Sequence, residues 1–113
     1  MSLEVGEKIH IIDRRVFEED LRRHFAGEVI KVTENTIRVK GWTWIYDATR
    51  GEYIKKPKVR ERVFYPNGRH IINVIPKEVN LADVEYVVIP EKGYVVTDRK
   101  EFTLDINEFT PKR

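Results

Sequence analysis

Short apolar stretches rich in Val, Ile, Tyr and Phe recur along the chain, separated by Asn, Gly and Pro. These turn-forming residues return roughly every eight to twelve positions, a spacing typical of small antiparallel β proteins. The pattern predicts a mostly β fold, a small and strongly bent antiparallel barrel or sandwich of about eight short strands. The predicted strands are 8–12, 28–32, 36–47, 59–65, 71–75, 85–89, 94–98 and 102–106.

One segment departs from the β pattern. Between residues 13 and 25 the apolar side chains recur about four positions apart, at Val16, Phe17, Leu21 and Phe25. Acidic and basic side chains occupy most of the other positions, which is the pattern of an amphipathic helix. We therefore expect one short helix near residues 15–25.

Three turns carry specific backbone signals. Asn35 stands between two predicted strands, and Asn67 with Gly68 follows Pro66. Asn and Gly tolerate the positive φ that tight hairpins use, so we expect that conformation at Asn35 and in the Asn67–Gly68 pair. Gly93 is expected to close a further hairpin in the same way.

The composition predicts one globular domain spanning residues 1–113, with a frayed tail at 110–113. Of the 113 residues, 41% are hydrophobic and 35% charged, and there is no cysteine. Disulfides and thiolate chemistry are thereby excluded. No apolar run is long enough for a secretory signal or a membrane span, which predicts a cytoplasmic protein.

Catalytic signatures are absent from the sequence. The only serine is Ser2, near the terminus, and the histidines His10, His24 and His70 fall on three different predicted elements. No glycine-rich phosphate loop and no metal-ligand spacing occurs. We therefore predict a protein that is not an enzyme and holds neither a cofactor nor a metal.

The stretch 36–47 allows two interpretations. Before Gly41, the positions expected to face the core have odd residue numbers, and Arg38 and Lys40 lie between them. After Gly41, the aromatic residues Trp42, Trp44 and Tyr46 have even residue numbers. A β-bulge at Gly41 would turn all the rings inward, and we favour this interpretation because glycine within a strand often marks a bulge. A regular strand would instead present the cations and rings on one exposed face, as a platform for phosphates and unpaired bases.

The positive charge is concentrated in one segment. Residues 55–75 contain six Lys or Arg and one Glu, although the whole chain has a net charge of only +2. Five of the cations are Lys55, Lys56, Lys58, Arg60 and Arg62, and Arg69 follows the turn at Pro66. Such a cluster either binds phosphates or protects an edge strand from aggregation, and the sequence favours neither.

Residues 24–76 resemble the Sm-like family of small β-barrels. Phe25–Ala26–Gly27–Glu28–Val29 is similar to its aromatic-x-Gly-x-aliphatic strand, Asn35 lies where the family has an Asn in a turn, and Gly68 with Arg69 is similar to its second motif. Here Gly68 and Arg69 stand in reversed order. The resemblance implies ring-forming homo-oligomers with Asn35, Gly68 and Arg69 lining an RNA-binding pore. The alternative is that the three strands predicted after Pro76 cover the edge that such rings use for assembly, which would leave a monomer or dimer.

The functional hypothesis from the sequence is a non-enzymatic module that binds nucleic acid, with single-stranded RNA as the expected partner. Its phosphate contacts would come from the basic segment 55–69, and its base contacts from Asn35, Trp42 or Trp44. The alternative is a protein-interaction or homo-oligomeric assembly module in which the basic strand meets an acidic surface. No small-molecule substrate is indicated.

Overall fold

The computed structural model describes residues 2–15, 17, 22–90 and 93–106. By its internal contacts the chain divides into two compact units, Met1–Lys77 and Glu78–Arg113. The single-domain organisation stays a prediction.

The described residues form nine strands and one short 3-10 turn, which confirms the mostly β fold. The strands are β1 (Lys8–Asp13), β2 (Arg23–Val32), β3 (Ile37–Asp47), β4 (Glu52–Lys55), β5 (Arg60–Phe64), β6 (His70–Ile75), β7 (Glu85–Ile89), β8 (Gly93–Thr97) and β9 (Thr103–Asp105), with the 3-10 turn η1 at Leu81–Asp83. Eight of them overlap the eight predicted strands, and β4 is an addition.

The first unit is one antiparallel sheet with the strand order β4-β3-β2-β1-β6, in which β5 also pairs with β3. β3 is long enough to have two partners along the same edge. Its first half, from Ile37 to Gly41, pairs with β5, and its second half, from Trp44 to Asp47, pairs with β4. β5 and β6 do not pair with each other, so the described sheet is not a closed barrel.

The hydrophobic core lies on one face of this sheet. It consists of the buried side chains Ile9, Ile11, Phe25, Val29, Ile37 and Val39. All six occupy odd positions of β1, β2 and β3, because successive side chains of a strand point to opposite faces. Leu3, Val32, Phe64 and Ile72 pack against this cluster and are partly buried.

Two glycines lie directly opposite each other on the paired strands β2 and β3. Gly27 pairs with Gly41, and a Cβ built on Gly41 would overlap the carbonyl oxygen of Ala26. A Cβ on Gly27 would likewise overlap the backbone of Lys40. The two backbones therefore approach more closely than any side chain allows, which explains why glycine occupies both positions.

The bulge expected at Gly41 is wrong. β3 pairs with β2 in continuous register from Val39 to Ile45, and the register shift lies in β2, between Val29 and Lys31. Gly41 is thus explained by the close backbone approach rather than by an inserted residue. Trp42, Trp44 and Tyr46 consequently share a face with Arg38 and Lys40, as the regular-strand interpretation requires.

Two of the three predicted turn conformations are also wrong. The tight turn at Asn35 is present, with the Thr33 amide donating to the Thr36 carbonyl at 2.9 Å. However, neither Asn35 nor Asn67 has a positive φ, since Arg99 is the one described residue other than glycine that does. The φ of Gly68 is not positive either. Asn67 instead accepts a 2.8 Å hydrogen bond from the Arg69 amide on its side-chain oxygen. Gly93 has φ 83°, as predicted.

The helix expected near residues 15–25 does not reach its predicted end. β2 begins at Arg23, so Arg23, His24 and Phe25 are extended. Pairing with β1 explains this, because Phe25 lies opposite Ile11 and contributes to the core. Most of the remaining helix positions, 16 and 18–21, lie outside the described residues.

The second unit is a three-stranded antiparallel meander in the order β7-β8-β9. Its β8–β9 turn is fixed by side-chain hydrogen bonds: the Thr97 hydroxyl donates to the Phe102 carbonyl at 2.7 Å, and the Asp98 carboxylate accepts from the amides of Lys100 and Phe102. Arg99, within this turn, has φ 60° and pairs with Glu85.

Replacing Gly41 with Ala is expected to destabilise the protein by at least about 2 kcal/mol, because the new methyl group overlaps the Ala26 backbone. Gly68→Ala is the matched control, since a methyl group at that position has no atom within 4 Å and the φ of Gly68 is not positive. That control should change stability by less than about 1 kcal/mol. Urea denaturation measures both, and equal midpoints for the two variants would contradict the close approach.

Candidate nucleic-acid interface and its pocket

Pairing between β3 and β5 separates the predicted cations onto two faces. Arg60 and Arg62 lie opposite Gly41 and Val39, so they are on the same face as the core. Glu61 and Val63 lie opposite Lys40 and Arg38 on the other face. Arg38 and Lys40 therefore do not join Arg60 and Arg62 in one continuous stripe.

The cations differ in whether a carboxylate neutralises them. Arg38 lies 3.9 Å from Glu61, and Arg69 lies 3.8 Å from Asp13. Within the described part of the chain, no carboxylate lies within 4.0 Å of the exposed cations of the basic segment, Lys56, Lys58, Arg60 and Arg62. We call these four side chains the β5 cationic surface.

The tryptophans form a covered cluster rather than an open platform. Trp44 is 5% exposed and Trp42 is half-buried. The Lys55 ammonium lies 4.6 Å from the ring centroid of Trp42 and 5.5 Å from that of Trp44, within cation–π range of both. Trp44 is therefore not accessible for stacking with a base.

The three positions that the Sm-like resemblance assigns to one pore lie at different ends of β2. Asn35 is exposed in the turn that follows Val32, the last residue of β2. Gly68 and Arg69 lie near Asp13, which pairs with Arg23 at the start of β2. The first unit thus does not bring Asn35 together with Gly68 and Arg69.

A pocket of about 350 Å³ opens beside the β5 cationic surface, with walls from β1, β2, β3 and β5. Its volume lies in the range of sites for small ligands. The wall combines apolar side chains with polar and charged ones: Ile11, Asp13, Arg23, His24, Phe25, Thr43, Glu61, Arg62, Val63 and Phe64.

The charges of the pocket wall are unequally compensated. Asp13 is paired with Arg69, and Glu61 with Arg38, so cations outside the wall offset both carboxylates. Arg23 and Arg62 are exposed, and no described carboxylate lies within ion-pair distance of either. The uncompensated charge at the pocket is therefore positive, which favours an anionic ligand.

Two histidines are buried side by side on β1 and β2. The rings of His10 and His24 meet edge to face, with centroids 5.2 Å apart, and His24 also contacts the ring of Tyr53. Burial lowers the pKa of His10 to about 3, and the neighbouring His24 contributes to the shift. Burial, with a smaller contribution from Arg22, lowers the pKa of His24 to about 4. Both imidazoles are therefore neutral near pH 7.

Tyr53 belongs to the same cluster, and burial raises the pKa of its phenol. Among the residues that the structure describes, no group of three or more His, Asp or Glu side chains is arranged to hold a metal ion. None of the described helices is long and apolar enough to cross a membrane.

The comparisons with known proteins return no match: no family model, no curated protein and no solved structure is similar to this chain. The proposals below therefore depend on the geometry and chemistry of the chain itself.

The pocket residues Arg23, His24 and Thr43 are not indicated as site residues by the sequence. Arg23 and His24 fall in the predicted helix, and Thr43 stands between two tryptophans that dominate the pattern of that stretch. Continuing the odd-position alternation of 37–41 through Gly41 would have placed Thr43 on the core face. Its position beside Arg62 depends on the β3–β5 register, which no local pattern reveals.

The buried histidines predict a loss of stability in acid. In the unfolded chain each imidazole binds a proton below its ordinary pKa of 6.5, whereas the folded chain resists protonation until about pH 4 at His24 and about pH 3 at His10. Stability should therefore fall from about pH 6.5 downwards, by up to about 1.4 kcal/mol per pH unit for each histidine.

The variant His24→Phe tests this expectation. It keeps a ring at the position and should reduce the slope of unfolding free energy against pH between about pH 6 and 5 by roughly half. Above pH 8, where the histidines are neutral in both states, the two proteins should show the same slope. Urea denaturation across the pH series provides the measurement, and an unchanged acid slope in the variant would contradict the burial of a neutral His24.

Proposed function

We propose that this protein is a non-enzymatic binding module for single-stranded RNA, which it holds along the β5 cationic surface. The observation that carries the proposal is the pair Arg60 and Arg62, both exposed, on one side of one strand, and without a described carboxylate within ion-pair distance. Positive charge that a protein leaves uncompensated favours a polyanion.

The geometry of a strand suits a phosphate backbone. Side chains two residues apart lie on the same side, about 7 Å from each other, so Arg60 and Arg62 are spaced to contact neighbouring phosphates. The guanidinium group also binds phosphate through two parallel hydrogen bonds. Lys56 and Lys58, in the connection before β5, extend the same positive segment.

Two further features support RNA as the ligand. Tyr65 follows β5 directly and is 66% exposed, so it offers a ring on which an unpaired base can stack. The sequence resemblance to the Sm-like family points to the same class of ligand. Sequence-specific recognition of RNA mostly uses single strands, whose bases are free to contact such rings.

The second candidate function is self-association. Among the described strands, β5 pairs only with β3 and β6 only with β1, so each has one free edge, and Val63 and Val74 on these strands are more than half exposed. An edge strand with exposed β-branched side chains is a template for pairing with another chain. This candidate places a second copy of the protein, rather than RNA, along β5.

Fluorescence anisotropy with a labelled single-stranded RNA of roughly ten nucleotides tests the proposal. If the four cations each contact a phosphate, affinity should fall about fiftyfold between about 50 and 200 mM salt. The double variant Arg60→Glu/Arg62→Glu should lower affinity at least about tenfold. No binding by the wild-type protein at low salt would contradict the proposal.

A charge-matched control distinguishes RNA binding at the β5 cationic surface from a general attraction of RNA to the protein's positive charge. Arg50→Glu/Lys77→Glu changes the net charge by the same amount at exposed positions away from β5, and it should retain most of the affinity. Light scattering on all three proteins tests the second candidate. Unchanged mass with lost RNA binding supports the proposal, whereas a change of mass in the β5 variant without RNA binding by the wild type supports self-association.

A further inference from the structure

One residue of the pocket wall has a buried hydroxyl group with no described partner. Thr43 is 3% exposed, it belongs to the pocket wall, and its Oγ1 makes no hydrogen bond with any described residue. A buried polar atom without a partner destabilises a fold, and native structures keep few of them. A ligand atom that reaches the buried Oγ1 from the pocket would supply the hydrogen bond that Thr43 lacks.

The two uncompensated arginines stand towards opposite ends of this pocket. Arg62 on β5 lies opposite Val39 of β3, and Arg23 on β2 lies opposite Ile45 of β3. Thr43 is between these two positions along β3. A ligand that contacts the Thr43 hydroxyl therefore has one guanidinium group towards each end, which suits a molecule with two separated negative charges.

The remaining wall is suited to a flat, mostly apolar group. Ile11, Phe25 and Phe64 contribute apolar surface, and the rings of Phe25 and Phe64 lie against each other with centroids 5.5 Å apart. A nucleobase combines a flat apolar face with hydrogen-bonding atoms at its edge. A base packed on this wall would have its hydrogen-bonding edge available to Thr43 in the same wall.

We infer that the pocket receives one nucleotide of the bound strand, with its base over the apolar wall and the Thr43 hydroxyl, and its two flanking phosphates towards Arg23 and Arg62. This inference rests on the proposed function and adds to it a site for the base. The β5 cationic surface then supplies affinity through phosphates, whereas the pocket supplies preference among bases.

Nucleoside 3′,5′-bisphosphates are the probe, because they carry both flanking phosphates of a single nucleotide. Binding to the whole protein is followed by amide chemical shifts at low salt, for the bisphosphates, the 5′-monophosphates and the nucleosides of all four bases. Affinity is expected to decrease in that order, and one base should bind best. The largest shift changes should fall on residues of the pocket wall.

Thr43→Val keeps the shape of the side chain and removes only the hydroxyl. It is expected to weaken bisphosphate binding roughly three- to tenfold, the range of a single hydrogen bond. Arg62→Gln and Arg23→Gln should each remove most of the preference for bisphosphate over monophosphate. Arg50→Gln, at an exposed position on the β3–β4 turn, should change neither.

Thr97→Val is the matched control for the buried hydroxyl. Thr97 is also buried, but its hydroxyl donates to the Phe102 carbonyl at 2.7 Å. This variant should therefore lower the melting temperature without affecting nucleotide binding. Thr43→Val should leave the melting temperature unchanged or raise it, because it removes a buried group that has no partner.

Bisphosphate binding that Thr43→Val weakens and Thr97→Val does not supports the inference. Absence of bisphosphate binding, or equal affinities of the wild type and Thr43→Val, overturns it. The RNA titration reports separately on the proposed function. RNA affinity and base preference that survive Thr43→Val unchanged overturn the pocket alone, whereas failure of the wild type to bind RNA overturns the proposed function.

Discussion

The close approach of β2 and β3 at Gly27 and Gly41 fixes the arrangement of the first unit. With both backbones in contact at this point, the register between the two strands has no freedom to slip, because any side chain moved to either glycine position would overlap the backbone of the partner strand. That register places Phe25, Val29 and Val39 on one face together. Since β3 also pairs with β4 and β5 along its other edge, the positions of the cations and of the pocket depend on the same β2–β3 register.

Strand alternation then sorts the charges of the basic segment. Glu61 stands between Arg60 and Arg62 in the sequence, yet it points to the opposite face and pairs with Arg38. Residues 55–75 contain six Lys or Arg and one acidic residue, Glu61. The side chain of Glu61 lies on the other face of the sheet from Arg60 and Arg62. The resulting charge on the Arg60 and Arg62 side is higher than the local sequence indicates, which strengthens the case for a phosphate ligand.

Much of the fold was predictable because it depends on local patterns. The alternation of β-branched residues identifies eight strands. This pattern lies within each strand, so it can be recognised without knowing which strands pair. β4 was missed because Glu52–Lys55 is short and carries charges at both ends. The start of β2 is predicted to be helical because its apolar residues are about four positions apart, which is the spacing of an amphipathic helix. A strand that contains several charged residues can show the same spacing. The turns at Asn35 and Asn67 form without positive φ, and at Asn67 the side-chain oxygen accepts the hydrogen bond of the turn.

Of the candidate site, only the positive charge was predictable from the sequence. Its most informative residue is Thr43, because the fold does not require a hydroxyl group at that position. A valine at position 43 would fill the same volume, suit a strand better and leave no buried hydroxyl without a partner. The unpaired group costs about 1–3 kcal/mol, a sizeable part of the roughly 5–15 kcal/mol by which small domains are stable. Gly41 is explained by packing and Phe25 by the core, but Thr43 is explained by neither. The nucleotide that we propose for this pocket would offset this cost by hydrogen-bonding to Thr43, and the uncompensated Arg23 and Arg62 in the same wall favour its negative charge.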